Sequence, residues 1–102
     1  MRILLASLVV ASSGCLIRDT LSGQWVGCDP GDEVYVGLSS GTEGADEADY
    51  FACERGGFEM SIPAPSFDVD FRVIFPDGGA SGWTTIKLEG IVGDYDMGVV
   101  QL

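Results

Sequence analysis

The amino-acid sequence predicts an all-β fold, a small antiparallel β-sandwich of about seven strands preceded by an N-terminal signal peptide. Three observations predict it. Short apolar-polar alternations recur along the chain, clusters of Gly, Pro and Asp interrupt them about every 8 to 12 residues, and no stretch holds a helical period. The chain has 102 residues. Taking residues 1–14 as the export signal and 15–23 as the modified N-terminus and tether leaves 24–102 as one small domain. A small closed barrel is the alternative architecture.

The first strand is expected over Gln24–Cys28, and Asp29-Pro30-Gly31-Asp32 is a turn signal that joins it as a hairpin to Glu33–Leu38. In that second run Val34, Val36 and Leu38 alternate with Glu33, Tyr35 and Gly37, giving one apolar face. Ser39–Glu47 reads as an acidic loop and Tyr50–Cys53 as a brief strand. After Arg55-Gly56-Gly57 a strand carries Phe58, Met60 and Ile62 on one face, and Pro63-Ala64-Pro65 ends it. The strongest alternation follows: Phe67, Val69, Phe71, Val73 and Phe75 are expected to face the core, and Asp68, Asp70 and Arg72 to face out. Pro76-Asp77-Gly78-Gly79 turns the chain into Thr84–Val92, with Ile86, Leu88 and Val92 on one face. Met97–Leu102 is the last strand.

Charge and composition narrow the function. Five Lys and Arg face sixteen Asp and Glu, a formal net charge of −11. Losing Arg2 with the signal would make it 4 − 16 = −12. Nucleic acid and anionic lipid surfaces are thereby excluded as electrostatic partners, since phosphate binding needs clustered cations. There is no His, which removes the commonest general base and metal ligand together with every Ser-His or Cys-His nucleophile pair. The reading is a non-enzyme with no catalytic residues, no metal and no cofactor.

Met1-Arg2 is a minimal basic start, Ile3–Ala11 an apolar run and Ser12-Ser13-Gly14 a run of small residues. Nine apolar residues are too few to span a bilayer as a helix, which takes about 20. Cys15 follows, and Ser13-Gly14-Cys15 resembles the lipobox of bacterial lipoproteins, with Ser12 standing where lipoboxes carry an aliphatic residue. The resemblance implies a diacylglyceryl group on the Cys15 sulfur, cleavage before Cys15 and N-acylation, so that the partner is a membrane, reached through lipid. Leu16, not being Asp, implies the outer membrane, on its periplasmic or its surface face. Ordinary cleavage near Ala11–Ser13 and secretion is the alternative. Three cysteines are an odd number, and lipidation of Cys15 accounts for the odd one. Cys28 and Cys53 then remain as one disulfide pair, worth roughly 3 kcal/mol in an oxidising compartment, against two buried free thiols as the alternative.

Ile62-Pro63-Ala64-Pro65-Ser66-Phe67-Asp68-Val69, the alternating strand after it and the ending Asp96-Met97-Gly98-Val99-Val100-Gln101-Leu102 resemble carboxypeptidase-regulatory-like or prealbumin-like sandwiches of bacterial surface lipoproteins. That resemblance covers residues 58–102 and implies the fold alone. The function read from all this is an exported, lipid-anchored β-sandwich of the cell envelope with a binding or structural role. The alternative is a small module binding calcium or carbohydrate. Calcium would use loop acids among Asp29, Asp32, Asp46, Glu47, Asp49, Asp94 and Asp96. Carbohydrate would use Trp83 and Tyr95 as exposed aromatics, unless Trp83 folds back onto the core edge. Trp25, near Cys28, is expected in the core.

Overall fold

A computed structural model describes residues 19–41 and 46–102; the expected export signal, residues 1–14, and Cys15 lie outside them. Seven strands follow one another: β1 (Thr20–Val26), β2 (Glu33–Ser39), β3 (Glu47–Ala52), β4 (Gly57–Ser61), β5 (Phe67–Ile74), β6 (Thr84–Leu88) and β7 (Tyr95–Gln101). They form two sheets, ordered β4-β1-β7 and β3-β2-β5-β6. All pairings are antiparallel except that of β1 with β7, the first and last strands, which run parallel. The architecture is the small β-sandwich that the alternation predicts.

Alternation decides which faces meet. Val34, Val36 and Leu38 of β2 and Phe67, Val69, Phe71 and Val73 of β5 are buried, facing Leu21, Trp25, Phe58 and Val100 of the other sheet. Aromatic rings carry the contact across the gap. Phe58 meets Phe71 edge-on at 5.6 Å between centroids, and Trp25 lies 6.1 Å from Phe51 and stacks on Phe58. Such geometries add about 0.5–1.5 kcal/mol each to the area they bury. Trp25 is in the core as expected, its indole Nε1 donating to the Cys53 carbonyl at 3.0 Å.

Cys28 and Cys53 are joined by a disulfide, with 6.1 Å between their Cα atoms. It ties the β1–β2 connection to the 3-10 turn Cys53–Arg55 that follows β3. The same connection is held by polar contacts: buried Asp32 accepts from the Asp29 amide at 2.9 Å, and its carbonyl accepts from Cys53 N at 3.0 Å.

Five expectations are corrected. The hairpin between the first two strands does not form: β1 and β2 lie in different sheets, and residues 27–32 carry the chain from one to the other. Trp25 and Leu21 of β1 and the valines of β2 need opposite walls of one core, so the two strands face each other instead of pairing. The first strand begins at Thr20, and the third at Glu47, with Cys53 in the turn beyond it. Phe75, expected inside, is 40% exposed, because β5 ends at Ile74 and Phe75 N donates to Gly79 O in the turn. Val92, also expected inside, is 91% exposed, because β6 stops at Leu88.

The two ends of the sandwich differ. Strand directions place the start of β1, the end of β2, the start of β3, the loop 62–66 and the loop 89–94 at one end. The disulfide, the loop 75–83 and Leu102 are at the other.

Candidate functional site

The outward side chains of the four-stranded sheet include a row of aromatic and cationic residues. Register places Tyr50 of β3 opposite Tyr35 of β2, and Tyr35 opposite Arg72 of β5. Trp83 stands one residue before Thr84, which pairs with Phe71, so it comes level with Arg72 at the far edge of the sheet. At the spacing of neighbouring strands the row spans about 14 Å.

Each member is held by chemistry its sequence position supplies. The Tyr35 ring meets Tyr50 edge-on at 5.3 Å and Trp83 edge-on at 5.5 Å, geometry favoured by the ring quadrupoles. Tyr35 leans over Gly37, where an added Cβ would fall 2.7 Å from its hydroxyl oxygen. Glycine at that position therefore gives the ring its seat. The Arg72 guanidinium lies 4.3 Å from the Trp83 ring centroid, a cation-π contact, and Arg72 Nε donates to Ser81 O at 2.9 Å. Ser81 fixes the approach to Trp83 by donating its amide to Val73 O and accepting the Val73 amide on Oγ. Trp83 and Tyr50 nevertheless stay open to solvent, at 53% and 56%.

Carboxylates flank the row. Asp70 Oδ1 accepts from Thr85 Oγ1 at 2.6 Å, next to Arg72, and Asp68 pairs with Lys87 at 3.3 Å on the neighbouring level. The sheet thus offers standing rings with an ordered polar edge, suited to an apolar ligand face with hydroxyls or amides around its rim. The outer face of the other sheet offers Ser22, Gln24, Arg55, Glu59 and Asp96 in an open depression, with no exposed aromatic among them.

The acids that a calcium site would need are dispersed. Asp32 caps the Asp29 turn, Asp94 Oδ1 accepts from Thr20 N at 2.8 Å, and Asp96 Oδ1 from Gly98 N at 2.8 Å. Asp49 accepts from the Tyr50 amide. Asp46 accepts from both the hydroxyl and the amide of Ser40, and these bonds, the hydroxyl's first, hold its carboxyl below the usual aspartate range. Among the described residues no three Cys, Asp or Glu side chains stand together as metal ligands.

The sequence-predicted residues fall as follows. Trp83 belongs to the row and is exposed, not folded onto the core edge. Tyr95, 39% exposed, lies in the other sheet and does not join it. Cys28 and Cys53 are at the end opposite the start of β1. Tyr35, Tyr50 and Arg72 were not singled out by the sequence as site residues. Their signal was their place on the polar side of an alternation, but it acquires meaning only when the pairing of β3, β2 and β5 is known. No family model, curated protein or solved structure matches the chain.

Proposed function

We propose that this protein is an exported lipoprotein of the bacterial cell envelope, anchored through Cys15, whose sandwich is a binding module for a neutral carbohydrate. The observation that carries the binding reading is the solvent-open row Tyr50-Tyr35-Trp83, kept ordered by Arg72 and Ser81 without being buried. A sugar ring has an apolar face that packs on an aromatic and equatorial hydroxyls that hydrogen-bond at its rim, and the row with Asp70 and Thr85 supplies both. The formal charge of −11 favours neutral over anionic glycans. The carbohydrate form of the reading is preferred to the calcium form because Asp32, Asp46, Asp49, Asp94 and Asp96 are engaged as backbone caps. The signal run Ile3–Ala11 and the lipobox-like Ser13-Gly14-Cys15 support the anchor, with the outer membrane as destination.

Titration with a neutral oligosaccharide, chitotetraose, tests the binding. Trp83 is exposed and Trp25 is 5% exposed, so ligand at the row changes the emission of one indole and not the other. The expected result is a saturable emission change in the wild type that Trp83→Ala abolishes with folding intact by circular dichroism. An unchanged spectrum across chitotetraose, cellotetraose and mannotetraose overturns the carbohydrate reading.

A further inference from the structure

We propose that the end of the sandwich bearing the N-terminus rests on the bilayer, and that Val92, at the tip of the β6–β7 loop, makes a second contact with lipid beside the anchor. This inference rests on the lipidation of Cys15 proposed above.

Cys15 precedes Thr20, the first residue of β1, by five residues. Five residues extend at most about 18 Å, so a lipid on Cys15 keeps this end of the domain within that distance of the membrane. Among the intervening residues Leu16 and Ile17 are apolar.

The surface around the start of β1 matches that position. The loop 62–66 is tied to it by Ile62 N donating to Asp19 O at 2.9 Å, and the loop 89–94 by Thr20 N donating to Asp94 Oδ1 at 2.8 Å. The two loops also bond to each other, Ile91 N to Pro65 O at 2.8 Å. Between them they present Pro63, Ala64, Pro65, Ile91 and Val92 with no charge from Ile62 to Ser66 or from Gly90 to Gly93. Ile91 packs against the core, whereas Val92 is 91% exposed. Gly90 and Gly93, at φ of 67° and 76°, take the left-handed backbone that turns the tip outward. An aliphatic side chain held this far out, on a braced loop beside a lipid tether, is placed for the headgroup–acyl boundary.

Glu89 and Asp94 flank the tip and Asp19 lies beside the loop 62–66, so the surface it suits carries amino groups at headgroup level, as phosphatidylethanolamine does. One apolar residue adds little to the hold of several acyl chains. Its effect is orientation: with this end down, the disulfide end points away from the membrane, and the Trp83 row lies on the flank nearer that end.

The test uses the full lipidated chain in vesicles of phosphatidylethanolamine and phosphatidylcholine, which carry no net charge. An environment-sensitive fluorophore is attached to Val92→Cys and, separately, to Asp77→Cys at the opposite end, with Cys15 acylated and Cys28–Cys53 intact. The expected result is a blue shift and protection from iodide quenching at position 92, with neither at position 77. Equal quenching at both positions in a chain whose mass includes the lipid overturns the membrane contact and leaves the anchor standing. A chain that carries no lipid overturns both.

Discussion

Phe71→Ala lowers the stability of the domain by about 3–5 kcal/mol, measured as the shift in urea midpoint at constant slope. Phe71 is fully buried, on the central part of β5, and its ring meets Phe58 across the gap between the sheets. Truncation removes this contact and leaves a void beside Phe58 and Val36, which belong to strands already held in register and cannot collapse into it. Small domains have only about 5–15 kcal/mol in total, so this one change removes a large share of it. Val92→Ala is the matched control. Each residue continues the apolar side of its own alternation, but Val92 is exposed, and its truncation leaves the midpoint unchanged within about 0.5 kcal/mol.

Removing the disulfide by Cys28→Ser with Cys53→Ser costs about 3 kcal/mol. The bond closes a sequence separation of 25, and most of its effect is on the unfolded chain, whose entropy it restricts. It also binds together two connections from opposite sheets, β1–β2 and the turn after β3, where few backbone bonds link the layers. Urea unfolding with and without dithiothreitol checks it, with Trp25 emission as the reporter because its indole bonds to the Cys53 carbonyl. Equal midpoints in the two conditions would show that the crosslink is dispensable.

Much of the fold was legible because a period of two is a local property. Val34, Val36 and Leu38, and the odd positions from Phe67 to Val73, are buried as their alternation dictates. Partnership of strands is not local, and there the reading failed. Asp29-Pro30-Gly31-Asp32 is a turn signal, but the turn crosses between sheets, because both flanking strands have an apolar face to bury and each supplies the other's opposite wall. Phe75 and Val92 continued their alternations on paper while the backbone had already left the strand. The candidate site shows the same division. Trp83 stood out as an aromatic after a Gly-rich run. Tyr35, Tyr50 and Arg72 come from three strands, and only the register of β3, β2 and β5 makes them neighbours.

The proposed function stands on Cys15 carrying lipid that holds the sandwich at a membrane. Intact mass of the protein expressed with its own signal, beside that of Cys15→Ala, tests it most directly. The wild type is expected to begin at Cys15 and carry diacylglyceryl and N-acyl groups, in the membrane fraction, while Cys15→Ala carries no lipid. A wild-type chain that is cleaved near Ala11–Ser13 and recovered as free, unmodified soluble protein would contradict it.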